Sequence, residues 1–355
     1  MGELSELKLN CLAIGSLPHK NLDEAMAVVE KYFKTIPFWP QLTKISKNED
    51  MIIQFLEKMP SFFLGKDYLD TEYDEFFEDL EQFFMDYEEI VSDINSDILD
   101  KYAVSAEFSS SFPKFIELIK EYKPHFAKGQ IVGPFTLATT LVDKDGKCAI
   151  YDETLKEIII KTLTIKALWQ IKQIKNANPA ATPIIFIDEP SISQLGTSAF
   201  VTISQNEVIE MFKEITDILH ANGALSAIHC CGKCDWSVPI SSGVDIINLD
   251  AYSFAQNLSL FNKTVNDFLN NGGKIAWGVV PTLDKEALEH TDLAELENKF
   301  KQAISYLTKK GIDEKLIIEN SIISPSCGAG SLSEALAEKA MKLTKNLSDM
   351  LKEKY

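Results

Sequence analysis

Ala224-Leu225-Ser226-Ala227-Ile228-His229-Cys230-Cys231-Gly232 reads as a buried strand whose last residues carry soft metal ligands. Side chains alternate along a strand, so His229 and Cys231 share one face while Cys230 points to the other. Far along the chain a second apolar run ends in Ser324-Pro325-Ser326-Cys327-Gly328. Cys327 from that distant strand completes a His/Cys/Cys set, and three protein ligands leave the fourth position of a tetrahedral zinc open for chemistry. Structural zinc sites gather paired cysteines in short loops and fill all four positions, a pattern this chain does not show. Two other readings stand beside this one. Each cysteine can be a small buried hydrophobe with His229 a hydrogen-bonded core residue, and Cys231-Gly232-Lys233-Cys234 also has the Cys-x-x-Cys spacing of a redox pair.

Working outward, extended apolar runs alternate with amphipathic helical segments, the pattern of parallel strands joined by crossover helices. The strands are expected at residues 9–16, 36–41, 129–136, 183–189, 225–231, 245–251, 274–280 and 316–324. Helices are expected at 21–33, 49–58, 154–175, 206–221, 292–310 and 333–352. Eight such units predict an α/β fold of the TIM (β/α)8 barrel type, one domain spanning 1–355. A doubly wound open sheet is the other architecture that fits the alternation, but it does not bring the fifth and eighth strands to one mouth. In a barrel the functional groups gather at the C-terminal strand ends. Here Gly15-Ser16, Gly133-Pro134, Asp188-Glu189-Pro190, His229 with Cys231, Asp250, Trp277-Gly278 and Cys327 all end strands.

The 355 residues are 45% apolar, enough for a large core. No apolar run reaches membrane-spanning length, and Met1-Gly2-Glu3-Leu4-Ser5-Glu6 lacks the basic and apolar character of a signal peptide, so a soluble, cytoplasmic protein without a membrane partner is expected. Six cysteines do not form a dense disulfide framework at this length, and free thiolates fit a reducing cytosol. A net charge of −18 argues against a nucleic-acid partner, which needs a basic face. All 35 basic residues are lysine, which excludes any mechanism that relies on a bidentate guanidinium clamp.

One segment breaks the rhythm. Residues 67–100 carry fourteen acidic residues and no lysine, yet Tyr73, Phe76, Phe77, Leu80, Phe83, Phe84 and Tyr87 recur at helical spacing. This stripe predicts amphipathic helices in an insertion, residues 62–110, placed after the second strand. Such an insertion can be a lid or brace, or a docking surface for another protein.

Four motifs carry a family resemblance. Ile14-Gly15-Ser16-Leu17-Pro18-His19 resembles the opening Ile-Gly-Ser-Phe-Pro of the catalytic domain of cobalamin-independent methionine synthase. Lys128-Gly129-Gln130-Ile131-Val132-Gly133-Pro134-Phe135-Thr136 is similar to its Lys-Gly-x-x-x-Gly-Pro-x-Thr run, Ile187-Asp188-Glu189-Pro190 to its Ile-Asp-Glu-Pro, and Ser324-Pro325-Ser326-Cys327-Gly328 to its Asn-Pro-Asp-Cys-Gly. The resemblance spans nearly the whole chain and leaves no room for the second, N-terminal barrel of the full-length synthase.

That domain belongs to a superfamily of barrels with uroporphyrinogen decarboxylase and the methylcobamide:coenzyme M methyltransferases. The resemblance implies a zinc-dependent methyltransferase acting on a metal-activated thiol, with homocysteine the expected acceptor. His229, Cys231 and Cys327 would hold the zinc. Asp250 stands where the synthase has a glutamate ligand; one methylene shorter, it can ligate, hydrogen-bond a ligand, or do neither. Asp188 would face the substrate ammonium with Glu189 beside it, while Ile14, Gly15 and Ser16 would hold the carboxylate; Gly15-Ser16 read alone is also a tight turn.

Two departures bear on the substrates. Ile53 in Asp50-Met51-Ile52-Ile53-Gln54-Phe55 replaces a glutamate that holds the substrate amine in the synthase. Trp277-Gly278-Val279-Val280-Pro281-Thr282 lacks the histidine associated with proton delivery to the folate leaving group. A folate N5 leaves only when protonated, whereas a methylcobamide leaves as cobalt(I), so the loss tilts the donor toward a methylcobamide, on a corrinoid protein or free, over methyl-folate. Glu189 could still act as the acid. Trp39 and Trp277 could stack on a flat donor or pack in the core. The alternatives are a methylcobamide:coenzyme M-type or other thiol methyltransferase, a metal-free porphyrinogen decarboxylase, which the lack of arginine disfavours, and a non-catalytic corrinoid-binding barrel.

Overall fold

The computed structural model describes residues 2–355. Six strands form one curled parallel sheet in sequence order: β1 (Phe126–Val132), β2 (Thr182–Asp188), β3 (Leu225–Cys230), β4 (Ile246–Leu249), β5 (Lys274–Val280) and β6 (Ser321–Pro325). An unbroken neighbour order with every pair parallel requires a crossover after each strand, and helices supply them.

The expected strand count is corrected from eight to six. Residues 9–16 and 36–41 are extended but make only single bridges, Cys11 to Ile323 of β6, Ser16 to Gln41, and Phe38 to Lys128 of β1. In the second segment Pro37 and Pro40 remove ladder donors, and in the first Leu9 takes a left-handed φ of 53°. Two boundaries also move. Residues 134–136 belong to a helix, Pro134–Thr140, because Gly133-Pro134 places proline where a first-turn N–H is not needed. Residues 316–319 lie in the helix Glu314–Glu319, capped by Asp313. The helix expected at 49–58 is two short 3-10 turns, Lys47–Glu49 and Ile53–Phe55.

The other helices match closely because their starts are written in the sequence. Leu22–Tyr32, Glu153–Ala177, Gln205–Ala221, Leu293–Thr308 and Glu334–Lys354 begin after Asn21, Asp152, Ser204, Asp292 and Ser333, whose side chains accept first-turn N–H groups. The acidic segment contains the helix Phe76–Ser92, packed on Glu153–Ala177. Phe76, Phe83, Tyr87 and Ile90 face inward while Phe77 is 75% exposed.

The sheet buries both faces. Ile185, Ile187, Ile228, Cys230, Ile247, Leu249, Ile275 and Trp277 pack under the helices. The opposite face carries a smaller cluster, Phe126, Ile184, Phe186, Ala227, Ile246, Ala276 and Ile322, joined by Leu7, Leu12 and Ile36. Two residues further along, this inner face turns polar on every strand but β5, which has Gly278 there, with Lys128, Gln130, Asp188, His229, Asn248 and Ser324 all buried. The inner face therefore has an apolar floor under a polar layer at the C-terminal strand ends.

Phe186 is fully buried in that floor. Truncation to alanine is expected to cost about 3–5 kcal/mol, and Phe77→Ala on the exposed helix face less than about 0.5 kcal/mol, both read by urea unfolding. Similar midpoints for the two variants would show that the inner cluster contributes little.

Candidate metal centre

Register brings the polar layer together. Asp188 pairs with His229 and His229 with Asn248 across β2, β3 and β4, so the three stand in one row on one face. Cys231 follows β3 on that face, and Cys327 follows β6. The ligand atoms of His229, Cys231 and Cys327 lie within 4.8 Å of one another.

The imidazole is oriented. Asn248 Nδ2 donates to the Ala276 carbonyl and to Ser324 Oγ, both at 2.8 Å. Because the carbonyl can only accept, the amide oxygen must face His229, where it takes the Nδ1 proton at 2.6 Å. Nε2 is thereby left with its lone pair, buried and without a partner. A buried acceptor nitrogen beside two sulfurs, its other nitrogen fixed by an amide, is the arrangement of a metal-ligating histidine.

The thiols are polarised. Hydrogen bonding from the Cys327 thiol, helped by the His229 ring nearby, lowers the Cys231 pKa to about 4 despite burial, and the contact between the two sulfurs raises Cys327. Burial opposes the charged form of His229, but Cys231 and Asp188 outweigh it and raise its pKa. One thiolate, one thiol and one imidazole form a donor set suited to zinc or another borderline-soft cation. Cys327 is also fixed through its backbone: its N–H donates to Thr282 Oγ1 at 3.0 Å and its carbonyl accepts from the same hydroxyl at 2.9 Å. Thr282 N–H donates in turn to Ser326 Oγ at 3.0 Å.

Cys234 does not pair with Cys231. Its thiol hydrogen-bonds Cys230 on the helix side of β3, and all six cysteines are free. That hydrogen bond joins Cys234 to Cys230 and not to Cys231, the other member of the Cys-x-x-Cys spacing.

The remaining expected site residues divide. Asp250 is buried, but its carboxylate caps the helix Ala251–Leu258 by accepting from Ser253 N–H at 2.9 Å, and it is outside the grouped ligand atoms. Burial raises its pKa. Asp188 Oδ1 is buried without a partner, and its pKa is raised by burial, offset in part by Lys128 and then His229.

Glu189 turns away into a fixed role. Its Oε2 accepts from Phe135 N–H at 3.1 Å, its Oε1 from Thr136 Oγ1, and burial lifts its pKa to about 8. A Cβ on Gly133 would meet Oε2 at 1.9 Å, so the Gly-Pro-x-Thr run and the Asp-Glu-Pro run are two halves of one contact. The Ile14 carbonyl accepts from Lys128 Nζ. Ser16 Oγ accepts from Gly330 N–H at 3.2 Å and its carbonyl from Ala329 N–H at 2.9 Å, which seats it on the loop that carries Cys327.

Three buried residues escaped the sequence reading as site residues: Asn248, Thr282 and Lys128. Asn248 had a signal, as the one polar residue in the run Ile246-Ile247-Asn248-Leu249. Lys128 also had one, a charge inside a buried strand; its Nζ also donates to Gln130 Oε1 at 3.0 Å and lies 4.5 Å from the Phe186 ring centroid. Thr282 had none. Trp39 and Trp277 are core residues, their indole N–H groups donating to Gln170 and Ser321 at 3.0 and 2.9 Å.

No known protein family and no curated protein matches the chain. No helix among the described residues is long and apolar enough to cross a membrane.

Asn248→Ala removes the group that fixes the imidazole, and zinc affinity in competition with a chromophoric chelator should fall by about 10- to 100-fold. An unchanged affinity would remove the amide from the site. In metal-free protein Cys231 should be the first cysteine alkylated by iodoacetamide at pH 6, because a pKa near 4 leaves it ionised there. Cys327→Ala should slow that labelling by raising the Cys231 pKa; equal labelling of all six cysteines in mapped peptides would contradict it.

Proposed function

We propose that this chain is a zinc-dependent methyltransferase resembling the catalytic domain of cobalamin-independent methionine synthase, and that it methylates a small aminothiol, homocysteine in the first instance. The observation that carries the reading is the convergence of two cysteine sulfurs on the unpartnered Nε2 of His229. On this reading the extended segments at 9–16 and 36–41 bridge the two edges of the sheet and complete a barrel of the (β/α)8 type, with the site at its C-terminal mouth.

His229, Cys231 and Cys327 would hold the zinc, with Asn248 and Thr282 keeping the imidazole and Cys327 in place. Zinc bound there would lower the pKa of a coordinated substrate thiol and present a nucleophilic thiolate at neutral pH. Asp188 would accept a hydrogen bond from the substrate ammonium at its unpartnered Oδ1, which offsets the cost of burying that carboxylate. The same negative group repels an anionic thiol of the coenzyme M type, which supports an aminothiol acceptor. Burial of the polar layer would keep bulk water from a transferred methyl group.

Both Glu189 oxygens are engaged by Phe135 and Thr136. Glu189, the acid named in place of the missing histidine, is thereby tied to the start of the helix Pro134–Thr140. The arrangement supports a donor whose leaving group needs no proton, a methylcobamide, over methyl-folate.

The test is methionine formation from homocysteine by zinc-loaded protein, with methylcobalamin and methyl-tetrahydrofolate assayed in parallel. Turnover with methylcobalamin, abolished by chelation and lowered by at least about 100-fold in Asp188→Asn, is expected, since charge-assisted contacts of this kind are worth a few kcal/mol. A zinc-loaded protein inert toward every thiol with both donors would overturn the proposal.

A further inference from the structure

Lys128 ties both extended segments to the sheet. Its backbone N–H donates to the Pro37 carbonyl at 2.8 Å, which joins residues 36–41 to β1, and its side chain reaches past that segment to the Ile14 carbonyl. Gln130 aims the ammonium. Gln130 Nε2 donates to the Trp39 carbonyl at 2.9 Å, and because a carbonyl only accepts, Oε1 is left to take a Lys128 N–H at 3.0 Å. The Phe186 ring, its centroid 4.5 Å from Nζ, supplies a third contact. A lysine with no exposed surface and no direct carboxylate bond is costly to keep.

Two residues beyond Ile14, Ser16 seats the loop that presents Cys327. Its Oγ accepts from Gly330 N–H at 3.2 Å and its carbonyl from Ala329 N–H at 2.9 Å. Two glycines admit the serine: a Cβ on Gly328 would collide with Ser16 Oγ, and one on Gly330 would meet it at 3.1 Å. On its other side the loop is held by Thr282, which follows β5, through both backbone groups of Cys327. The two halves of this clamp are not equally anchored. β5 is paired along its length on both sides, whereas the segment ending in Ser16 has single bridges, Cys11 to Ile323 and Ser16 to Gln41. The Ser16 half is therefore only as firm as the grip of Lys128 on Ile14.

We propose that Lys128 is a positioning residue of the metal centre: by holding the Ile14 carbonyl it fixes Ser16, and through Ser16 the loop that aims the Cys327 sulfur at His229 and Cys231. The inference rests on the metal reading of those three residues and not on the reaction assigned to them. A lysine that served bulk stability alone would loosen the sheet evenly when replaced; one that positions the loop loosens two distant segments together.

Lys128→Met keeps the apolar stem and removes the donor. In hydrogen exchange of the metal-free full chain, read by mass spectrometry, peptides covering 13–17 and 328–332 should exchange about tenfold faster, the size of one lost charge-assisted hydrogen bond, while β3 stays at the wild-type rate. Zinc affinity, read by chelator competition, should fall about tenfold. Ser16→Ala, at the far end of the same chain of contacts, should give a similar loss, and the double variant little more than either alone. Gln130→Leu, which leaves the lysine but removes the oxygen that aims it, should loosen the same two peptides and decides the matter if Lys128→Met does not fold. Unchanged exchange in those peptides, a rise shared equally by β3, or zinc losses that add in the double variant would overturn the proposal. A wild type without zinc affinity would refute the metal reading, and the exchange pattern would still decide this one.

Discussion

The site depends on the register between β3 and its neighbours. His229 stands opposite Asp188 on one side and Asn248 on the other, and the two-residue period of β3 then carries Cys231 to the same face. A slip of one residue would put Cys230 in the polar layer and His229 under the helices. What prevents the slip is apolar. Ile228 and Cys230 fill the helix side while Ala227 fits the inner floor, so the core that stabilises the sheet also aims the ligands.

The polar layer above the floor is costly, and its members offset one another unevenly. Asn248 is fully satisfied by His229, Ala276 and Ser324. Lys128 is buried without a direct carboxylate bond, and desolvation lowers its pKa to about 8 although Asp188 pulls it upward. Asp188 Oδ1 and His229 Nε2 stay without partners. Two buried, unsatisfied groups in one row are expensive for folding alone, and such concentrations mark sites that bind something. The chain has no arginine to neutralise the layer, and its one buried cation there is Lys128, which acts on Asp188 without a direct bond.

Much of this was legible in the sequence because it rests on short-range rules. Alternation in Ile228-His229-Cys230-Cys231 separated ligands from core, and Asn21, Asp152, Ser204, Asp292 and Ser333 marked where helices start. The first two strands were misjudged because their apolar content is strand-like while their pairing is limited, by the left-handed backbone at Leu9 in the first and by Pro37 and Pro40 in the second, features that leave hydropathy unchanged. The 49–58 helix failed for a related reason: Glu49 and Gln54 are buried and tied to distant groups, Ser110 N–H and the Phe108 carbonyl, which local propensity cannot see. Glu189 looked like a site acid, yet it fills the space left by Gly133 some fifty residues earlier. Thr282 was invisible because it works through the backbone of Cys327, a contact between two loops that no local pattern encodes.

The central claim is that two cysteines and one histidine share a metal, and X-ray absorption at the zinc edge of the loaded protein tests it most directly. The account predicts two sulfur scatterers at about 2.3 Å and a histidine nitrogen at about 2.0–2.1 Å, with one sulfur lost in Cys327→Ser. A shell of nitrogen and oxygen alone, or four sulfurs, or a spectrum unchanged in Cys327→Ser, would contradict it.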